Sequence, residues 1–369
     1  MMKELIVDLG ERSYPIRIGS GLLHDLCRHL ADVGVAVKHK LFVITDSSVA
    51  PLYLEFVSER LRSGGYEVHS AIVSSGEKSK SLSMLDALIG KALQAGLDRN
   101  SVVLALGGGV VGDLAGFVAA SFMRGVRFVQ LPTTILAHDS SVGGKVGVNH
   151  SMAKNIIGAF HQPQLVLYDT DTLKSLPIRE IRAGLSEVIK HGFIWDASFV
   201  SWSEANVERM LALDEEAIAY ALYNGCAVKA QVVSRDEREN DLRAILNLGH
   251  TIGHALEAVA GYEELLHGEA IAIGMVGAAK LAAKLGYGTE ILDTYERLFA
   301  KLALPTRIPQ HFAIEAIMSA MMHDKKFKDG SLVFIIPTSI STVEIRRDIA
   351  VDAVREVVHQ LMVEEVRAW

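Results

Sequence analysis

The second half of the chain carries histidines and carboxylates at spacings that suit a metal centre. His250 and His254 stand four residues apart in Asn247-Leu248-Gly249-His250-Thr251-Ile252-Gly253-His254, so on a helix they share one face. His267 follows in Leu266-His267-Gly268-Glu269, and Glu187 precedes them in Gly184-Leu185-Ser186-Glu187-Val188-Ile189-Lys190-His191. Two histidines, one carboxylate and an open position make a catalytic zinc arrangement. Spacing alone leaves the ligand set open. Either His250 or His254 could serve, and Glu187/His191 is a second pair at the same interval. A lone helical histidine is more often structural or solvated, but three such clusters in one chain favour a site. Gly249 and Gly253 thin the helix surface beside the histidines, as if something must approach closely.

A second group of motifs suits anions. Gly107-Gly108-Gly109-Val110-Val111-Gly112-Asp113 has the G-x-G-x-x-G spacing after a β-rich run and opens a helical pattern. Backbone N–H groups there could approach a pyrophosphate. A tight strand–helix turn would also use these glycines, and no acidic residue stands about 20 positions on to hold a ribose. Ser75-Gly76-Glu77-Lys78-Ser79-Lys80-Ser81 follows another strand pattern, with Ser81 a candidate cap for the next helix. Residues 131–163 read as one long, Gly-rich, polar loop, and a loop of that length in a compact pattern is usually functional. Within it Lys145, Lys154 and Asn155 suit an anion. Glu239, Arg243 and Asn247 form an i, i+4, i+8 series leading into His250, which would face one way on a helix. Together with Arg124, Lys229 and the cations of His323-Asp324-Lys325-Lys326, they outline a site for a small anionic substrate.

Something must hold these groups in place. β-rich runs at 5–9, 40–45, 66–73, 101–106, 127–131 and 165–168 alternate with helical patterns at 21–33, 50–63, 81–95 and 112–121. Such alternation predicts a mainly parallel sheet covered on both faces. From 178 on the pattern is helical, at 178–194, 214–235, 246–260, 268–285 and 349–366, with a hairpin at 332–336 and 342–346. The expected architecture is an α/β nucleotide-binding (Rossmann-like) domain over 1–175 and a mainly α-helical domain over 176–369, to which the family resemblance described below assigns the metal and the substrate. Ligands of open α/β sheets sit at the carboxyl ends of the strands, so the expected site is the cleft between the domains.

The 369 residues hold 31 glycines and 8 prolines, which suits tight strand–helix turns. A net charge of −7 argues against a general nucleic-acid binder. Cys27 and Cys226 are the only cysteines, too few for a disulfide scaffold or a cysteine-rich metal site. Asp8, Glu11 and Arg12 break any apolar signal core, and the longest apolar stretch, about 270–279, falls far short of a bilayer. A soluble, cytoplasmic protein without membrane partners is expected.

The motifs taken jointly resemble the 3-dehydroquinate synthase family, within the sugar phosphate cyclase superfamily. The likeness rests on GGGVVGD (107–113), LPTTILAHDSSVGGKVGVNH (131–150), KNIIGAFHQP (154–163), GLSEVIKHG (184–192), ENDLRAILNLGHTIGHALE (239–257) and HGEAIAIGM (267–275). It covers essentially the whole chain. One departure is a long loop one residue shorter before Asp139 than in many members. The resemblance implies NAD, a divalent zinc or cobalt ion and a homodimer. It resolves the metal ligands as Glu187, His250 and His267. It implies NAD contacts at Asp46, Gly76, Glu77, Lys80, Gly109, Gly112, Asp113, Thr133, Thr134, Lys145, Lys154 and Thr172. His254, Asn155, Lys145 and Arg124 would face the substrate phosphate, with Arg124 a candidate contribution from the partner subunit. Lys229, Arg243 and Asn247 would face the carboxylate and its neighbouring hydroxyls. Asp139, Lys190 and Glu239 would complete the catalytic set, His254 and Glu239 as candidates for proton handling. One of Lys325 and Lys326, with Lys325 favoured, would also reach substrate.

The implied reaction takes 3-deoxy-D-arabino-heptulosonate 7-phosphate to 3-dehydroquinate and phosphate, a step of the shikimate pathway. It runs through transient NAD-dependent oxidation, phosphate elimination, re-reduction and intramolecular aldol closure. Sibling cyclases such as 2-deoxy-scyllo-inosose synthase share the metal and NAD motifs but take substrates without a carboxylate. The intact Arg243 and Asn247 favour dehydroquinate formation. Glycerol dehydrogenases look similar in outline, yet the stretches around Lys145 and Lys154 would be unexpected there.

Overall fold

The computed structural model describes residues 2–239, 241–261, 264–323, 327–328 and 331–363. By its contacts the chain forms two compact units, Met1–Leu176 with Ile218–Arg238, and Pro177–Ala217 with Glu239–Trp369.

The first unit is built on a seven-stranded sheet. Its strands are Lys3–Val7 (β1), Tyr14–Gly19 (β2), Leu41–Asp46 (β3), Val68–Val73 (β4), Val102–Gly107 (β5), Arg127–Pro132 (β6) and, after a separate hairpin of Lys145–His150 (β7) and Ala153–Phe160 (β8), Leu165–Asp169 (β9). The order is β1-β2-β9-β6-β5-β3-β4, parallel except for the β1–β2 pair. Alternation along each strand feeds both faces. Phe42, Ile44, Val103 and Ala105 enter one core, while Leu41, Val43, Leu104 and Leu106 enter the other. Fully buried strands such as Val102–Gly107 therefore read as continuous apolar runs. Helices Leu26–Asp32 (α1) and Glu55–Ser63 (α2) supply residues to the second core, and Leu82–Gln94 (α3) and Gly109–Ser121 (α4) to the first.

Three local readings of the sequence change here. Strand β2 was not among the expected runs; it accommodates Pro15, which lacks a ladder donor, and its Ile16 and Ile18 are fully buried. The expected 131–163 loop contains the β7–β8 hairpin and a short helix, Ala137–Ser140 (α5). Its glycines permit strand pairing: a Cβ on Gly147 would stand 2.6 Å from the Ile157 carbonyl oxygen. Residues 218–238 were expected in the second domain but count with the first unit, to which Lys229 and Glu237 are tied by Asp139, Arg12 and Gln162.

The second unit holds Ile178–Trp195 (α6), Ala197–Ala205 (α7) and Val207–Leu211 (α8), the helix Glu215–Arg235 (α9) running from it into the first unit. It continues with His250–Val259 (α10), His267–Lys284 (α11), Glu290–Lys301 (α12), Ile314–His323 (α13) and Val351–Val363 (α14). Two ribbons interrupt the helices: Phe327–Lys328 (β10) with Ser331–Leu332 (β11), and Phe334–Ser339 (β12) with Thr342–Arg346 (β13). Among the described residues no helix is long and apolar enough to cross a membrane.

Candidate functional site

Close backbone approach assembles the metal-ligand candidates of the second unit. Helix α11 packs on α10 and α6 through positions where no side chain fits. A Cβ on Gly274 would stand 2.0 Å from the Gly249 carbonyl oxygen, and one on Gly268 only 1.8 Å from that of Ala183. What approaches Gly249 and Gly253 is thus the backbone and side chains of α11. The contact sets the first residue of α11, His267, beside the first residue of α10, His250. The His250 and His267 ring centroids are 5.5 Å apart.

Glu187, on α6, completes the group. One ligand atom from each of Glu187, His250 and His267 lies within 4.8 Å of the others. The His250 Nδ1 lies 3.1 Å from the Leu248 carbonyl oxygen and the His267 Nδ1 lies 3.1 Å from Glu257 Oε2. An acceptor on Nδ1 selects the tautomer whose Nε2 can take a cation. Glu187 Oε2 accepts from Lys190 Nζ at 2.6 Å, while its Oε1 is buried with no hydrogen-bond partner among the described residues. A buried carboxylate oxygen with that unmet demand fits a cation. Burial works against a charged His267, yet Glu257 and then Glu187 outweigh it, and its pKa stands above the ordinary histidine value. His254, Glu257 and His267 form an overlapping group within the same 4.8 Å. His191 is fully buried with its Nδ1 2.9 Å from the Glu187 carbonyl oxygen, and it joins neither group.

The series Glu239, Arg243 and Asn247 is not helical throughout. Leu242–Asn247 is a 3-10 turn and Glu239 has φ +60°, so the expected i, i+4, i+8 face does not form. The turn still brings its ends together, with Asn247 Nδ2 donating to Glu239 Oε1 at 3.1 Å. Arg243 is buried on that turn. Lys325 and Lys326 lie outside the described residues.

In the first unit the expected cofactor positions gather after the carboxyl ends of parallel strands. Asp46 ends β3, where its Oδ1 accepts from the Ser48 and Val49 amides. Gly76, Glu77 and Lys80 follow β4; Gly109, Gly112 and Asp113 follow β5; Thr133 and Thr134 follow β6; Thr172 follows β9. Helix α4 begins at Gly109, three residues before the expected start, so its unpaired N–H groups lie within the glycine run. Gly112 also meets a packing need, since a Cβ there would stand 2.9 Å from Gln130 Oε1. Lys80 Nζ donates to Asp113 Oδ2 at 2.7 Å and to Asn155 Oδ1. Glu77 accepts from Asn149 at 2.7 Å. Burial pushes the Asp113 carboxyl up, and Lys80 pulls it part of the way back. Thr133 Oγ1 is buried with no hydrogen-bond partner among the described residues, a polar demand suited to a ligand.

Lys229, buried on α9, forms an ion pair with Asp139 at 2.9 Å. Beside them burial pushes the Cys226 thiol up to about 12, which removes thiolate chemistry there. Lys145 is exposed at the start of β7, and Lys154 and Asn155 lie in β8. Arg124 is exposed and lines a groove of about 340 Å³ with Phe160 and His161. Sequence reasoning passed over Glu257, the partner of His267; its signal was a carboxylate seven residues after His250 on the same helical face.

The family model for the 3-dehydroquinate synthase N-terminal part matches residues 70–183, and that for the C-terminal part matches 184–327. The 3-dehydroquinate synthase of Desulforamulus reducens is 50% identical over 350 residues, covering 94% of this chain and 97% of the relative. Among solved structures, 2-deoxy-scyllo-inosose synthase complexed with carbaglucose-6-phosphate, NAD+ and Co2+ superposes with a TM-score of 0.89 at 25% identity, over 98% of this chain and 100% of the other. The 2-epi-5-epi-valiolone synthase of Streptomyces hygroscopicus subsp. jinggangensis, with NAD+ and Zn2+ bound, gives 0.87 at 26% identity, over 96% and 98%. The cyclase structures share the fold at half the identity reached by the dehydroquinate-forming relative, and both halves of the sequence match one description: the chain belongs to the 3-dehydroquinate synthase family.

Proposed function

We propose that the chain catalyses the 3-dehydroquinate synthase reaction, converting 3-deoxy-D-arabino-heptulosonate 7-phosphate to 3-dehydroquinate and phosphate, a carbon–oxygen lyase step. The observation that carries this reading is the Glu187, His250 and His267 group with its partnerless buried carboxylate oxygen, in a chain of this family. When bound, NAD supplies a hydride acceptor restored within each turnover, and zinc or cobalt supplies Lewis acidity toward substrate hydroxyls.

The chain's own residues bind, orient and hold charge. Glu187, His250 and His267 would hold the metal, and the ion pair with Lys190 limits the negative charge collected there. The positions after β3, β4, β5, β6 and β9 would hold NAD, with Lys80 fixed between Asp113 and Asn155. Arg243 and Lys229 offer positive charge to the substrate carboxylate, and Asn247 offers an amide to a neighbouring hydroxyl. Lys145, Asn155, Arg124 and His254 suit the phosphate. His254 and Glu239 are the candidates for moving protons. Most of the rate enhancement in such a site comes from positioning and charge stabilisation. The sibling-cyclase alternative is less supported, because those structures are 25–26% identical to this chain against 50% for the 3-dehydroquinate synthase relative.

The chain is also proposed to act as a homodimer in the cytoplasm. Phe160, 46% exposed beside Arg124, is an apolar edge that a second copy would cover. A sedimentation-velocity experiment at micromolar concentration tests this, and a monomer would refute it.

The reaction is tested by phosphate release from 3-deoxy-D-arabino-heptulosonate 7-phosphate with catalytic NAD+, with and without a chelator. Release that needs both NAD+ and metal and leaves no NADH is expected. Release only from glucose 6-phosphate or sedoheptulose 7-phosphate would move the chain to a sibling cyclase. Stoichiometric NADH would make it a dehydrogenase.

A further inference from the structure

His267 is fixed from two directions. Its backbone opens α11, where Glu269 Oε2 accepts from the Leu266 amide at 2.9 Å. Arg179 closes a fork on Glu269 at 2.7 and 2.6 Å, and also donates to the Glu264 carbonyl oxygen at 2.7 Å. The side chain is met by Glu257, whose Oε2 lies 3.1 Å from Nδ1. Glu257 is 8% exposed and lies seven residues after His250, two turns along the same face of α10. One helix therefore supplies both a ligand and the carboxylate that orients a ligand on the next helix.

We propose that Glu257 is a positioning residue for the metal site, holding His267 Nδ1–H so that Nε2 faces Glu187 and His250 and binds a divalent cation more tightly. The inference rests on the metal assignment made above. A carboxylate behind a ligating histidine orients the ring and raises its basicity, and losing such a partner typically weakens metal binding roughly 10- to 100-fold. The competing role makes Glu257 itself a ligand, with His254 and His267. Two observations favour positioning. Glu257 already accepts from His267, and of the two glutamates it is Glu187 that has a buried oxygen with no hydrogen-bond partner among the described residues.

The test uses the full chain stripped of metal. Zn2+ affinity is measured by competition with a chromophoric chelator for the wild type, Glu257→Gln, Glu257→Ala and Glu187→Gln. The visible spectrum of the Co2+ form and the Tm of the metal-free protein are recorded beside it. Glu257→Gln keeps an acceptor without charge and should weaken binding by roughly 10-fold; Glu257→Ala should weaken it by about 100-fold. Both should keep the Co2+ ligand-field pattern of the wild type and its metal-free Tm. Should the alanine variant not fold, the glutamine variant carries the comparison. Affinity within about twofold of wild type, against the tenfold lower limit expected, would overturn the positioning role. So would a Co2+ spectrum showing the loss of a ligand. If Glu187→Gln weakens Zn2+ and the Glu257 variants do not, only this inference fails. A wild type that binds no Zn2+ overturns the metal assignment as well.

Discussion

Lys190 Nζ sits 2.6 Å from Glu187 Oε2, and both side chains are 1% exposed. The two lie three residues apart on α6, so the pair forms within one helix. In the metal-free protein Lys190 is the positive charge that compensates a buried carboxylate. Replacing it by methionine strands that carboxylate, which should cost about 3–5 kcal/mol of stability. On the proposed reading a divalent cation would add positive charge beside Glu187, so the loss should shrink when Zn2+ is saturating. Urea unfolding of Lys190→Met, with EDTA and then with excess Zn2+, checks this. Equal losses in both conditions would show that Glu187 does not meet the metal.

The glycines that admit α11 should be intolerant of even one carbon. Gly268→Ala would drive a Cβ to 1.8 Å from the Ala183 carbonyl oxygen, and Gly274→Ala to 2.0 Å from that of Gly249. Backbone cannot yield as a flexible side chain does, so each change should cost at least about 1–3 kcal/mol. Because α11 carries His267, Zn2+ binding should weaken along with Tm. Gly90→Ala is the control: it lies in α3 with nothing within 4 Å of an added Cβ. There the change should stabilise by about 0.5–1 kcal/mol, since alanine is the better helix former.

These glycines also mark how much the sequence could tell. The parallel sheet was legible because β-rich runs alternate with helical patterns, and the histidine clusters because i, i+4 spacing means one helix face. Gly249 and Gly253 signalled a close approach, but one chain cannot say whether a ligand or a helix approaches. Gly147 and Gly158 made a paired hairpin look like a loop, since glycine breaks local strand propensity while permitting close backbone contact. Glu257 went unread for a related reason. Its role depends on meeting His267 across two helices, and that is a tertiary fact. The turn from Glu239 to Asn247 defeated a periodic reading because φ +60° at Glu239 ends any helical register.

Acid stability offers a test away from the site. Glu204 on α7 accepts from Arg297 at 2.6 Å and from Lys301 at 3.0 Å, both on α12. Arg297 first, against the cost of burial, and then Lys301 bring its pKa from 4.5 down to about 2. A carboxyl depressed on folding stabilises above its unfolded pKa and loses that contribution as pH falls toward the folded value. Glu204→Gln should therefore be less stable than wild type at pH 7, by about 1 kcal/mol for a partly exposed network. The gap should begin to close below about pH 5, near the unfolded carboxyl range. Paired urea titrations at pH 7, 5 and 4 read it directly, and a gap that widens on acidification would contradict the assignment.

Arg243 is 3% exposed on the turn that leads into His250. On the proposed reading its fork meets the substrate carboxylate. Removing one charged hydrogen-bonding group from such a contact is worth about 1.5–3 kcal/mol, or roughly 10- to 150-fold in kcat/KM. Arg243→Ala should lose that much on 3-deoxy-D-arabino-heptulosonate 7-phosphate. Zn2+ and NAD+ affinities, measured separately, should stay near wild type. Arg243→Lys keeps the charge but not the planar fork, so it should recover only part of the loss. The decisive comparison is inhibition by a carboxylate-free analogue of the substrate. Its affinity should fall little in Arg243→Ala, because the group removed had nothing to bind on that ligand. An equal fall for both molecules would place Arg243 in the structure of the turn, and the carboxylate would need another partner.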